Sequence, residues 1–184
     1  MTERFSSGLS RLLLVFSLLT LAACASTPEK LTQKDEWRVR GKFVFQTDDT
    51  RESGNFDWRQ TGENYQVRFF GPLGFGSVRI NGDQQQATVV SSRGEKQSSL
   101  PNDLIYEITG VDIPLTDVPS WLEGKPIAFH SEYAELDANG DIEAINVHGW
   151  QLTYQRFDDG SRRPKQIVAV QNNTRIKLVS LNWR

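Results

Sequence analysis

From Trp37 onward apolar and polar residues alternate with a period of two, the pattern of an extended strand whose successive side chains leave on opposite faces. Trp37, Val39, Phe43 and Phe45 alternate with Arg38, Arg40, Lys42 and Val44, and Gly41 interrupts them where a bulge or bend fits. Phe56 and Trp58 follow, flanked by Asn55, Asp57 and Arg59, then turn residues from Thr61 to Asn64, then Tyr65, Val67 and Phe69 against Gln66 and Arg68. Renewed alternation after a turn predicts an antiparallel hairpin. Beyond the loop Gly71-Pro72-Leu73-Gly74-Phe75-Gly76 come Val78 and Ile80, a turn at Asn81-Gly82-Asp83, a strand from Ala87 to Ser91 and a turn at Arg93-Gly94. No helical period separates these strands, so an antiparallel meander is expected rather than a parallel sheet.

Between Leu100 and Gly124 the rhythm changes. Pro101 suits a first helical turn, Leu104, Ile105 and Ile108 share one face, and Gly110 is placed as a stop. A second short helix is predicted from Asp117 to Glu123, capped by Thr116 and ended by Gly124, with Trp121 and Leu122 apolar. Two short helices with apolar faces inside a meander read as a lid. Strands then resume over roughly Ala128 to Glu135, Ile142 to Val147, Trp150 to Gln155, Lys165 to Gln171 and Arg175 to Trp183. About eleven strands are too many for a flat sheet, so a mainly β domain over residues 37–184, curling toward a barrel, is expected.

The segment before this domain has the parts of an export signal. Arg4 and Arg11 supply positive charge, Leu12 to Leu21 form a short apolar stretch, and small residues precede Cys24, the only cysteine. Leu21-Ala22-Ala23-Cys24 resembles the bacterial lipobox, which implies removal of residues 1–23 and diacylglyceryl and N-acyl modification of Cys24. Residues 24–36 read as a polar tether with a short helix near Leu31 to Glu36. A single cysteine forms no internal disulfide, so the fold stands on its core. The formal net charge is −2, and loss of Arg4, Arg11 and Glu3 with the signal makes it more negative by one. Such a balance disfavours nucleic acid as a partner, which calls for a basic stripe. No second apolar stretch is long enough to cross a bilayer, so the domain is expected to hang from its lipids.

Candidate chemistry is sparse. His130 and His148 fall in separate strands, and His130 with Glu132 makes no tetrahedral metal site, so both histidines read as surface or packed residues. No glycine-rich phosphate loop precedes a helix and no serine sits in a nucleophile elbow. Asp48-Asp49 and Asp158-Asp159-Gly160 read as solvated turns. The expectation is a protein that is not an enzyme and uses no cofactor or metal. What stands out is large apolar side chain on one face: Trp37, Phe43, Phe45, Phe56, Trp58, Tyr65, Val67, Phe69, Trp150, Leu152 and Tyr154, joined by Trp121 from the second helix. These are either a packed core or, in a barrel of this many strands, the lining of an apolar cavity. Leu73 occupies a turn position usually held by Asn, Asp or Gly, so it either folds back beside Phe75 or points from the hairpin tip into a bilayer.

Together these residues resemble the LolB family of outer-membrane lipoprotein receptors. The resemblance covers nearly the whole mature chain: the lipobox, Phe56-Asp57-Trp58-Arg59-Gln60-Thr61-Gly62, Gly71-Pro72-Leu73-Gly74, Ile113-Pro114-Leu115, Trp121-Leu122-Glu123-Gly124, Gly149-Trp150 with Tyr154, and Arg175-Ile176-Lys177-Leu178 with Trp183. It implies an unclosed antiparallel barrel of about eleven strands with a helical lid, shared with the periplasmic carrier LolA. It further implies a monomer on the periplasmic side of the outer membrane that accepts acylated lipoproteins from a LolA-like carrier and inserts them into the inner leaflet without ATP. By the same resemblance Leu73 matches the membrane-directed leucine and Cys24 the lipidated residue, while Ala25 lacks the aspartate linked to inner-membrane retention. The tether before Trp37 is short for the family. Two other readings stand beside this one: a lipid-anchored binding module for a fatty acid, phospholipid or other amphiphile, and a structural lipoprotein with a filled core.

Overall fold

The computed structural model describes residues 36–71, 77–91, 94–98, 100–126, 131–157 and 159–184, with the backbone alone for 91, 94–98, 131 and 132. The signal segment, Cys24, the tether up to residue 35, Leu73 and His130 lie outside the described residues.

Eleven strands form one sheet: β1 (Glu36–Gln46), β2 (Arg51–Thr61), β3 (Asn64–Phe70), β4 (Ser77–Gly82), β5 (Ala87–Ser91), β6 (Gly94–Ser98), β7 (Ser131–Leu136), β8 (Ile142–Val147), β9 (Trp150–Arg156), β10 (Pro164–Gln171) and β11 (Thr174–Trp183). The helices α1 (Pro101–Thr109) and α2 (Val118–Glu123) fall between β6 and β7. The sheet order is β6-β5-β4-β3-β2-β1-β11-β10-β9-β8-β7, so two meanders are joined where the first and last strands pair. All pairings are antiparallel, as the alternation predicts. A sheet of this width twists and curls on itself. It stays unclosed because β6 and β7 are its two edges and the helical segment connects them. α1 packs on β5 and β6, while α2 reaches toward β10, which puts the helices over the concave face.

Both helices end on a glycine in the left-handed region, Gly110 at φ 71° and Gly124 at φ 64°, where the sequence places the stops. The start of α2 differs from expectation: its cap is Asp117, not Thr116, and no side chain caps it. Backbone turns perform that task, with the Asp117 N–H donating to the Pro114 carbonyl at 2.8 Å and that of Val118 to Leu115 at 3.3 Å. On α1, Leu104 and Ile105 are buried, whereas Ile108 is 44 % exposed. The irregularity expected at Gly41 also belongs to its neighbour. Arg40 pairs with Asn182 and Lys42 with Val179, so Ser180 and Leu181 of β11 together oppose Gly41, and the extra residue is in β11.

Candidate functional site

The strand period decides what the concave face carries. Phe43 and Phe45 of β1, Phe56 and Trp58 of β2, and Val67 and Phe69 of β3 all point inward because they sit at alternate positions in register, Phe43 opposite Gly54, Trp58 opposite Val67 and Phe56 opposite Phe69. Val78 and Ile80 extend this wall on β4, Ile167 and Ala169 on β10, and Ile176 and Leu178 on β11. The helical segment closes the space from the other side with Ile105, Ile108, Ile113, Leu115, Val118 and Trp121. Between them lies a cavity of about 830 Å³, within the range of small-molecule sites. Thr109 apart, which ends α1, its polar residues Thr47, Thr50, Glu52 and Ser53 come from the β1–β2 turn and the start of β2, which marks the mouth at the turn end of those strands.

Local packing holds the wall in place. The rings of Phe43 and Phe69 meet edge to face with centroids 5.3 Å apart. Gly54 leaves room for this, since a Cβ there would sit 2.9 Å from Cε1 of Phe43 and 2.8 Å from the Phe70 carbonyl oxygen. Deeper in, the Trp58 indole N–H donates to Gln60 Oε1 at 2.9 Å and the Gln60 amide donates to the Gly62 carbonyl at 2.7 Å, so a buried glutamine is satisfied at the closed end. The indole N–H of Trp121, also buried, has no hydrogen-bond partner among the described residues. The cavity side chains Phe43, Phe45 and Phe69 are only half-buried, because on that side they face the cavity and not a packed neighbour.

Five of the residues expected to line a cavity do not. Trp37 and Tyr65 sit at the closed end, where Trp37 packs on Trp183 at 5.5 Å and Tyr65 stacks on Trp58 at 5.3 Å, leaving no room between them. Trp150, Leu152 and Tyr154 lie on β9 beneath the helical segment: Trp150 packs on Trp121 at 5.7 Å and donates its indole N–H to the Asp112 carbonyl at 3.1 Å, and Leu152 is fully buried. Tyr154 borders a separate polar groove with Asp141, Arg156 and Arg162. Burial pushes the phenols of Tyr65 and Tyr154 well above their ordinary range, so both stay protonated and neutral. Conversely, the alternation read alone misses most of the helical face, Ile105, Ile108, Ile113 and Val118, as cavity lining; for Ile105 and Ile108 the three-to-four spacing of apolar residues on α1 carries that signal. Nε2 of His148 lies 3.1 Å from Oδ2 of Asp117, the cap of α2.

The sequence profile described as "Outer membrane lipoprotein LolB" matches residues 35–183. The chain is 26 % identical to an outer-membrane lipoprotein LolB of Francisella tularensis subsp. tularensis, over 100 % of this chain and 96 % of the relative. Similar proteins of the same description occur in Tolumonas auensis, 27 % identical over 96 % and 97 % of the two chains, and Ectopseudomonas mendocina, 28 % identical over 95 % and 96 %. Among solved structures, a LolA superfamily protein from Nitrosomonas europaea superposes with a TM-score of 0.47 at 14 % identity, covering 83 % of this chain and 85 % of that one. With the profile spanning its whole β domain, this chain belongs to the outer membrane lipoprotein LolB family.

Proposed function

We propose that this protein is an outer-membrane lipoprotein receptor, anchored through acylated Cys24, that takes acylated lipoproteins from a LolA-like periplasmic carrier into its cavity and inserts them into the inner leaflet of the outer membrane. The observation that carries the reading is the apolar cavity of about 830 Å³ between the sheet and the helical segment. Three acyl chains bury on the order of 45 methylenes, whose exposure to water would cost roughly 35 kcal/mol as an upper bound. Free release into the periplasm is therefore negligible, and cargo has to move from one apolar cavity directly to another and then to the bilayer. No nucleotide is needed if each step is downhill in affinity. Anchoring through Cys24 fits the same scale, since several acyl chains hold a protein at a membrane where one does not.

The deciding experiment mixes purified acyl-free protein with a cargo-loaded LolA-like carrier. A receptor strips the carrier of its lipoprotein, and cargo that stays on the carrier refutes the reading. Leu73 is assigned the step into the bilayer. Leu73→Glu is expected to leave folding and uptake of cargo close to normal and to block delivery into liposomes; delivery at the normal rate would remove Leu73 from the mechanism. One observation favours the amphiphile-binding alternative: a single fatty acid or phospholipid tail fits the cavity as it stands. The same carrier assay separates the two, because a module for small amphiphiles leaves a whole lipoprotein on its carrier.

A further inference from the structure

The convex side of β1–β4 is charged far out of proportion to the chain, whose formal net charge is −2. Three successive register rows cross these four strands: Arg38–Arg59–Gln66–Asn81, Arg40–Asp57–Arg68–Arg79 and Lys42–Asn55–Phe70–Ser77. They hold six cations and one carboxylate, and that carboxylate, Asp57, is taken up by Arg38 and Arg40. Lys42, Arg59, Arg68 and Arg79 are exposed and form no ion pair with any described carboxylate.

Two of the cross-strand pairs are arginine on arginine, Arg38 opposite Arg59 and Arg68 opposite Arg79. Like charges directly opposite one another destabilise a sheet. An anion shared between the guanidinium groups removes that repulsion, and phosphate oxygens match their fork geometry. The guanidinium of Arg68 also lies over the ring of Phe70 at 5.3 Å, and Phe70 borders the cavity, so this amphipathic pair joins the charged face to the apolar rim, as suits the boundary between apolar and headgroup layers. Phe70 and Ser77 are the last paired residues before the β3–β4 connection, and Arg68 and Arg79 stand two residues further down, about 7 Å along the strands. The headgroup layer of one leaflet is about 5–7 Å thick.

We propose that the convex face of β1–β4, centred on Arg68 and Arg79, is a docking surface for the phosphates of the bilayer, which holds the cavity mouth toward the membrane during delivery. The proposal rests on the receptor reading, since it supplies the orientation that delivery needs. It places the β3–β4 end of the barrel against the headgroups, the same end at which the β1–β2 turn rims the cavity.

The test uses the full mature chain with Cys24→Ser, so that no acyl anchor contributes, and vesicles of phosphatidylethanolamine with a quarter phosphatidylglycerol. Sedimentation is expected to show binding that weakens as salt is raised. Each cation at an anionic surface strengthens adsorption about fivefold, so Arg68→Glu with Arg79→Glu should weaken it at least twentyfold. Arg68→Gln with Arg79→Gln should weaken it by a smaller factor with no loss of thermal stability, because the repulsive pair is gone. Cargo uptake from the loaded carrier should be unchanged in both variants, and delivery into the vesicles slowed. Equal vesicle binding by wild type and the charge-reversed variant overturns the proposal. So does loss of carrier uptake with vesicle binding intact, which would assign this face to an acidic protein partner. Failure of wild-type protein to strip the carrier would instead count against the receptor reading and leave the vesicle result to stand by itself.

Discussion

Asp57 shows how a single carboxylate ties the outer face of the barrel together. Arg38 Nε donates to its Oδ1 at 2.6 Å, the Arg38 terminal nitrogen contacts Oδ2, and Arg40 Nε donates to Oδ2 at 2.9 Å, so two residues of β1 are clamped to one of β2. Hydrogen bonding by Arg38 holds the Asp57 carboxyl below its ordinary value of 3.8, against the opposing effect of partial burial. A carboxyl depressed on folding adds stability above its unfolded pKa, and that contribution disappears as the pH falls through the folded value. The side chains are 26 % and 18 % exposed, and solvent screening keeps the cluster to about 1 kcal/mol. Asp57→Asn should therefore unfold earlier than wild type at neutral pH, and the gap should close as the pH falls below 3.8. Denaturant titrations at several pH values check this. A gap that persists unchanged in acid would show that the loss came from packing and not from the charge.

At the scale of elements, the bulge between β1 and β11 is the most demanding local feature. Gly41 faces two residues of β11, and Ser180 adopts φ 55°, a left-handed conformation uncommon outside glycine. A Cβ on Gly41 would stand 2.9 Å from the Val179 carbonyl oxygen, 2.9 Å from Phe56 and 2.7 Å from Leu181, so neither backbone nor core can yield cheaply. Gly41→Ala should cost roughly 2 kcal/mol, read as a lower unfolding midpoint with the sheet retained. An unchanged midpoint would mean that β11 shifts freely at this point. The interruption at Gly41 was legible in the sequence, but the side of the ladder carrying the extra residue was not, because it depends on a partner strand about 140 residues away. The same division recurs elsewhere. Alternation identifies nearly every strand and its inward face, and glycine stops locate the helix ends. Alternation carries no information about depth along a strand. Trp37 and Phe43 therefore look equivalent in sequence, although one is sealed against Trp183 and the other faces the cavity. The cap of α2 was misplaced for a related reason, since backbone turns through Pro114 and Leu115 replace the side-chain cap.

For the whole molecule the proposed function raises the question of how much of a triacylated cargo the interior would hold. Taking a methylene as about the size of a water molecule, with its share of roughly 30 Å³, three chains with about 45 methylenes need on the order of 1,300 Å³. The cavity of about 830 Å³ covers fewer than two of them. The remainder has to lie at the mouth, beside the half-buried Phe43 and Phe45 and the exposed Ile108, or the helical segment has to move outward. In either case the solid core under the helical segment limits how far the chains extend across the β-wall. Ala169 has the smallest side chain on the β-wall and sits in register between Ile176, which lines the cavity, and Leu152, which belongs to the solid core. Ala169 is buried at the edge of the cavity, so Ala169→Trp should fold with an unfolding midpoint lowered by an overpacking cost of about 1–3 kcal/mol. It should nonetheless exclude the end of an acyl chain. Loss of only two buried methylenes costs about 1.6 kcal/mol, which is roughly fifteenfold in affinity. Titration with a fluorescent fatty-acyl probe measures the effect directly. Wild-type affinity in a folded Ala169→Trp protein would mean that the chains do not lie against β10, and that the β1–β4 wall and the helical segment hold the cargo.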